Sequence, residues 1–305
     1  MKERKEAELV QKIVDLKRKR QAVILAHNYE LGEIQDVADF VGDSLELSQL
    51  AARTDAEVVV FCGVKFMAET AAILCPDKKV VLPELQAGCS LADMATAEEI
   101  RMRKRENPHL KVICYVNSSA EVKAESDVCC TSANAAKVVE ALKGEEILFI
   151  PDQHLGHYAS TKTGQALSLW SGFCHTHVRI KSEDIIQLRK EYPQAKVVVH
   201  PECQADVVDL ADEVASTAGI CRYAARGEVQ ELIVGTEIGI LHRLRKENPE
   251  KKFLPASEQA ICPFMKLITL EKLLRSLEEL APQVKVPEQI RIRAKAAVDQ
   301  MLEIG

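Results

Sequence analysis

Two kinds of apolar pattern alternate along the chain. One is a short unbroken run, as in Ala22-Val23-Ile24-Leu25-Ala26, Val58-Val59-Val60-Phe61 and Val80-Val81-Leu82. Runs of this length with no polar alternation suit strands of a parallel sheet that is covered on both faces. The other is helical spacing. Leu9, Ile13 and Leu16 sit among charges before the first run, and Ile34, Val37, Ala38 and Val41 follow it. Leu45, Leu47, Leu50 and Ala51 follow Gly42-Asp43-Ser44, and Met67 to Leu74 precedes the third run. These spacings predict helices, including one through Val41. The last eighteen residues or so, from Pro287 to Ile304, predict another amphipathic helix.

The pattern then starts again, twice. Lys111-Val112-Ile113-Cys114 ends in Tyr115-Val116-Asn117-Ser118, Thr131-Ser132 opens a helical pattern through Val138, Val139 and Leu142, and Ile147-Leu148-Phe149-Ile150 is the next strand. A weaker run, Ala166 to Trp170, follows. Lys196-Val197-Val198-Val199 ends in His200-Pro201-Glu202-Cys203, Ser216-Thr217 opens a helix, and Leu232-Ile233-Val234 and Phe253-Leu254-Pro255 complete the third pass. His27 to Ser44, Tyr115 to Ser132 and His200 to Thr217 are each 17 residues apart. From those hydroxyls to Cys89, Cys174 and Cys262 the distances are 45, 42 and 45. A period of about 86 residues is too long for a solenoid unit and suits a small α/β domain. The expectation is three such domains of three parallel strands each, at 1–107, 108–192 and 193–305, in pseudo-threefold arrangement. The proposed breaks fall within Arg105-Glu106-Asn107-Pro108 and Arg189-Lys190-Glu191-Tyr192-Pro193, where a charged helical turn meets a proline.

Composition narrows the class. A net charge of −6 provides no basic field for nucleic acid. The N-terminal stretch mixes Lys and Arg with Glu3, Glu6, Glu8 and Asp15, unlike a signal or transit peptide, and no apolar run is long enough for a membrane span. A cytoplasmic protein without nucleic-acid or membrane partners is expected. Ten cysteines with no CxxC pair argue against disulfides, a zinc ribbon or a thioredoxin-type centre. Cys62, Cys75, Cys114, Cys129, Cys130, Cys203 and Cys221 are read as small buried residues.

Parallel α/β sheets gather ligands at the carboxyl ends of their strands. Those ends carry His27, Tyr29, Tyr115, Asn117, His200 and Glu202, which predicts a shared cavity. Ser44, Ser132 and Thr217 each stand where a helical pattern begins, as N-caps and as part of an anion site for a small polyanionic substrate. No glycine-rich phosphate loop is present, so no nucleotide is expected. Cys89, Cys174 and Cys262 would meet near the same axis. Three thiolates can hold a zinc ion, with His175 or His177 as the fourth ligand, or a [4Fe–4S] cluster with one open iron.

These residues also carry a resemblance. His27-Asn28-Tyr29, Gly42-Asp43-Ser44, Tyr115-Val116-Asn117-Ser118, His200-Pro201-Glu202-Cys203 and the three cysteine loops resemble the quinolinate synthase family, the A protein of NAD (pyridine nucleotide) biosynthesis, over nearly the whole chain. The resemblance implies three homologous αβα domains around a central active site, with a [4Fe–4S] cluster on Cys89, Cys174 and Cys262. It implies a transferase-type condensing enzyme that joins iminoaspartate to dihydroxyacetone phosphate, with the open iron as Lewis acid, to give quinolinate, phosphate and water. Iminoaspartate would come from an aspartate oxidase or dehydrogenase. Implied substrate contacts are His27, Ser44, Tyr115, Val116, Asn117, Ser132, His177, His200, Pro201, Glu202, Ser216 and Thr217. Glu202 and Tyr29 would transfer protons, and His27 and His200 would position substrate oxygens. Some longer relatives carry CxxCxxC around the third ligand; Cys262 stands alone here, so redox control by neighbouring cysteines is not expected. The competing readings are an aconitase-like hydro-lyase acting on a small polycarboxylate and an iron–sulfur sensor without turnover. The sensor would need a partner surface, and no basic stripe is visible.

Overall fold

The computed structural model describes residues 2–304. It is an α/β protein with three parallel sheets of identical topology. The first holds β1 (Ala22–His27), β2 (Phe40–Gly42), β3 (Val58–Cys62) and β4 (Lys79–Val81) in the order β2-β1-β3-β4. The second holds β5 (Lys111–Tyr115), β6 (Val128–Cys130), β7 (Ile147–Ile150) and β8 (Ser168–Leu169) in the order β6-β5-β7-β8. The third holds β9 (Lys196–Val199), β10 (Glu213–Val214), β11 (Glu231–Gly235) and β12 (Lys252–Pro255) in the order β10-β9-β11-β12. Every strand pair is parallel. The unbroken apolar runs are buried at nearly every position, β3 at all five. Along β9 the pleat divides its valines, Val198 facing the large core and Val197 and Val199 a smaller one with Ile233.

Each sheet has four strands, not the expected three. The extra ones, β2, β6 and β10, are two or three residues long, too short to show a period. The helix expected through Val41 stops at Val37, and Phe40-Val41-Gly42 turns into β2. An aspartate before each short strand explains why it pairs. Asp39, Asp127 and Asp212 accept the backbone N–H of Ile24, Val112 and Val197, each at 2.8 Å. Their own N–H groups donate to the carbonyls of the same three residues. The helix before each sheet adds a cation to the same carboxylate: Lys17–Asp39 at 2.6 Å, Lys104–Asp127 at 2.8 Å and Arg189–Asp212 at 3.1 Å. One side chain thus locks the first and second strands to the preceding helix in all three units.

This device predicts a stability effect. Asp127→Ala leaves the N–H of fully buried Val112 without its partner, which costs about 1–3 kcal/mol. Asp127→Asn keeps an acceptor oxygen and should recover part of the loss. Equilibrium denaturation measures both, and an Ala variant within about 0.5 kcal/mol of the parent would sink the idea.

The C-terminal tail follows the third sheet in sequence but packs elsewhere. The helix Leu270–Glu279 lies against the N-terminal helix Lys2–Lys19. Leu82 N–H donates to Pro282 O and Val284 N–H to Val80 O, laying the tail beside β4. The predicted last helix, Glu288–Ile304, buries Ala294, Ala297, Val298 and Met301 against β6 and the helices Ala120–Ala124 and Lys65–Leu74. The tail therefore straps the first two units together. No helix among the described residues is long and apolar enough to cross a membrane.

Candidate active site

The carboxyl ends of β1, β5 and β9 open on one cavity. Its wall includes His27 and Tyr29 from the first unit, Tyr115 and Asn117 from the second, and His200 and Glu202 from the third. Ser44, Ser132, Thr217 and His177 also line it, and so do Cys89, Cys174 and Cys262. Val116, Pro201 and Ser216 are not among the lining residues. Val116 donates its N–H to Cys130 O, Pro201 is buried, and the Ser216 hydroxyl is engaged elsewhere. Gly172 lets the Cys174 loop reach the wall, because a Cβ there would stand 2.3 Å from the Pro151 carbonyl oxygen.

The two histidines at strand ends are held alike. His27 Nδ1 accepts the N–H of Tyr29 at 3.2 Å, and His200 Nδ1 accepts that of Glu202 at 3.3 Å. Each ring is thereby fixed with its proton on Nε2, a neutral donor. Burial lowers both imidazoles to about 3, so they stay neutral at physiological pH even beside Glu202. Burial, with the Glu202 charge adding to it, pushes the Tyr29 phenol well above its ordinary range, so Tyr29 keeps its proton.

Glu202 is buried, and burial alone would raise a carboxyl toward neutrality. Burial does act in that direction, but His177, His200 and the Tyr115 hydroxyl outweigh it and hold the carboxyl at about 2. His177 Nδ1 lies 2.7 Å from Glu202 Oε2, off the axis of a straight N–H···O bond, and Asn117 Nδ2 donates to Oε1 at 3.3 Å. In the free protein Glu202 is an ionised base, not a protonated acid.

The hydroxyl triad differs from the predicted caps. Asp43 caps the helix Ser44–Arg53 through the N–H groups of Leu45 and Glu46, and Ser216 caps Thr217–Ala224 through Gly219. Ser44 and Thr217 are the first residues inside their helices, and Ser132 stands ahead of the cap Asn134 of Ala135–Ala141. The residue before each hydroxyl or its neighbour does the local work, so all three can serve the cavity wall. Two further bonds join the first and third units across this wall: Ser216 Oγ to Asp43 at 2.9 Å and Asn28 Nδ2 to Thr217 Oγ1 at 2.8 Å.

The cysteines divide as their loops suggest. Cys89, Cys174 and Cys262 are half-buried at the cavity, and the other seven are buried. Burial pushes the Cys89 thiol up to about 12, with Cys262 and Glu202 adding to the shift. Burial also raises Cys174, with Glu202 and Cys89 adding to it. Cys89 thus lies near both Cys174 and Cys262. Three convergent thiols on separate loops, facing a cavity with no fourth cysteine, fit a [4Fe–4S] cluster with one open iron.

Sequence patterns missed several groups. Thr236, just past β11, shares its hydroxyl with Tyr29 OH in a very short hydrogen bond and with His177 Nε2 at 2.8 Å. Buried Glu237 accepts the Cys262 N–H at 3.1 Å and pairs with Lys266 Nζ at 2.9 Å. Lys266 Nζ also donates to the Tyr29 carbonyl, tying the third cysteine loop to the first unit. Gly235-Thr236-Glu237 does stand at a strand end, the one signal that could have drawn attention to it. The Lys266 contact spans units far apart in the chain and left no trace.

The quinolinate synthetase A protein family model matches residues 11–303. The chain is 61% identical to the quinolinate synthase of Dehalococcoides mccartyi (strain CBDB1) over 293 residues, covering 96% of this chain and 97% of that one. It is 52% identical to the quinolinate synthase of Methanosarcina barkeri (strain Fusaro / DSM 804) over 299 residues, covering 98% of each. It is 53% identical to that of Desulforudis audaxviator (strain MP104C) over 298 residues, covering 97% of this chain and 98% of that one. Matched over nearly its whole length by the family model and by relatives more than half identical to it, the chain belongs to the quinolinate synthetase A protein family.

Proposed function

We propose that this enzyme is a quinolinate synthase that condenses iminoaspartate with dihydroxyacetone phosphate, releasing phosphate and water. The observation that supports the reading most is the convergence of three loop cysteines with His27, Tyr29, Tyr115, Asn117, His200 and Glu202 on one cavity. Cys89, Cys174 and Cys262 would hold a [4Fe–4S] cluster, whose open iron supplies a Lewis acid for a substrate oxygen or nitrogen. His27 and His200 donate their Nε2–H groups to substrate oxygens without adding charge. Ser44, Ser132 and Thr217 present hydroxyls to carboxylate or phosphate, and the N-termini of Ser44–Arg53 and Thr217–Ala224 favour negative charge there. Glu202 takes a proton from carbon, and Tyr29 returns one to a departing oxygen. Two anions entering the cavity raise the proton affinity of Glu202 from its low free value, bringing it into range for both directions of transfer. An aspartate oxidase or dehydrogenase would supply iminoaspartate, and a cytoplasmic setting goes with such a supply.

The direct test is an anaerobic assay of protein reconstituted with iron and sulfide, with iminoaspartate formed in place from oxaloacetate and ammonia. Quinolinate and phosphate should appear in equal amounts when dihydroxyacetone phosphate is present. Cluster-loaded protein that yields no quinolinate, or that instead interconverts hydroxy-polycarboxylates by loss of water, overturns the assignment.

A further inference from the structure

We propose that Arg243 and Asn28 are positioning residues that fix the Thr217 hydroxyl as a hydrogen-bond donor to an oxyanion, a carboxylate or a phosphate, in the cavity. That such an anion belongs to a substrate rests on the proposed function; the sense of the hydroxyl does not. Asn28 directly follows β1 and is fully buried. Its amide stands between a guanidinium and a hydroxyl. Arg243 Nη1 donates to Asn28 Oδ1 at 2.9 Å, and Asn28 Nδ2 donates to Thr217 Oγ1 at 2.8 Å. The two ends of an amide are alike in shape, so chemistry decides which way it faces. A guanidinium stays charged and has donors only, so it selects the amide oxygen. The amide nitrogen must then face Thr217. Arg243 is itself held in place, because Nη1 also donates to Val41 O at 2.8 Å and Nε to Glu247 Oε1 at 2.7 Å.

The amide N–H takes a lone pair of Thr217 Oγ1. A hydroxyl proton turned toward that N–H would set two donors against each other in a buried place, which is costly. Thr217 is buried and lines the cavity. Among the described residues its hydroxyl has no other hydrogen-bond partner. Its single proton is therefore left for the cavity. That is the polarity an ionised carboxylate or phosphate oxygen needs, because such an oxygen only accepts.

The device breaks the threefold pattern. Val116 and Pro201 follow Tyr115 and His200 as Asn28 follows His27, and neither has a side-chain donor or acceptor. Of the three matching hydroxyls, Ser44, Ser132 and Thr217, only Thr217 can have its sense set by a side chain at this position. One of three similar anion positions thus has a committed donor, and the groups that commit it, Asn28 and Arg243, do not line the cavity.

The test is a double-mutant cycle on the full chain prepared with iron and sulfide, read by calorimetric titration of malonate and, separately, of inorganic phosphate. Asn28→Asp keeps the shape and the acceptor for Arg243, but its second oxygen has no proton to give and takes that of Thr217. The hydroxyl then turns a lone pair to the cavity. The added charge also repels anions, so the change is made both in the parent and in Thr217→Val, where only the charge effect remains. Asn28→Asp should weaken binding at least about tenfold more in the parent than in Thr217→Val, the scale of one hydrogen bond to a charged group. Thr217→Ser keeps the hydroxyl and should keep the affinity. The probe with the larger coupling identifies the anion as carboxylate or phosphate. If Asn28→Asp does not fold, Arg243→Met replaces it in the cycle; the freed amide turns its oxygen to the hydroxyl, and the coupling keeps its sign. Equal losses in both backgrounds, or a parent that binds neither anion, overturn the proposal. Lower stability with unchanged affinity makes Arg243 and Asn28 a tie between units and overturns it as well. Quinolinate formation is measured separately. Coupling in a chain that forms no quinolinate would overturn the proposed function and leave the role of Asn28 standing, whereas quinolinate formation without coupling overturns that role alone.

Discussion

Serine at any one of positions 89, 174 or 262 is expected to remove most of the visible cluster absorbance and essentially all turnover. Cys89→Ser, Cys174→Ser and Cys262→Ser each replace a soft thiolate with a hard, weakly acidic hydroxyl that holds iron poorly. The three loops come from three different sheets, so no remaining cysteine can substitute for the one removed. Replacements at Cys62, Cys75 and Cys221 act as controls. These residues are buried in apolar surroundings and do not line the cavity, so their serine variants should keep the cluster and lose only packing energy. Iron and sulfide analysis with visible spectroscopy on anaerobic protein reads the outcome directly. A stoichiometric zinc in place of iron in protein prepared with both iron and sulfide, or full absorbance in any of the three loop variants, would remove the cluster assignment. Activity should also fall in air as an open iron is oxidised and lost, and activity that outlasts the cluster would count against its role.

The second large effect is at Glu202. Glu202→Gln preserves size and can still accept from Asn117, but it has no base. Turnover is expected to fall by about 10²–10⁴-fold, the usual contribution of one positioned proton-transfer group. Cluster content and substrate affinity should stay near those of the parent, because the histidines that hold substrate oxygens are anchored by backbone N–H groups and do not depend on the charge of Glu202. The low carboxyl value has a consequence for pH. A group held at about 2 stays ionised across the neutral and mildly acid range, so the free-enzyme profile of kcat/KM should show no acid limb from Glu202 above about pH 4. His27 and His200, at about 3, likewise stay neutral there. A Gln variant forming quinolinate at a near-parental rate leaves Glu202 a structural part at the strand end and moves proton transfer to Tyr29 or a histidine.

Much of this architecture was legible in the order of residues, because its signals are local and repeated. Buried parallel strands need unbroken apolar runs, and a ligand cavity at their ends needs polar residues where each run stops. With three copies in step, the 17-residue spacing pointed to His27, Tyr115 and His200 and to their partners Ser44, Ser132 and Thr217 without any coordinate. The further steps of 45, 42 and 45 residues separated three loop cysteines from seven core ones. What the tertiary structure alone decided is of another kind. The short strands β2, β6 and β10 exist because an aspartate side chain completes the backbone bonding of a neighbouring strand fifteen residues earlier, which no run of two or three residues can announce. Asp43 and Ser216, not the adjacent Ser44 and Thr217, cap their helices, a one-residue difference set by backbone direction. The tail joined the first two units because its alanine face fits them, although sequence attaches it to the third. The lowered pKa of Glu202 owes most to His177 and, with it, to Tyr115, which approach from another part of the chain, beside its near neighbour His200. Electrostatics falls off with distance in space, not along the sequence, so the direction of that shift could be known only once the three units had closed around one cavity.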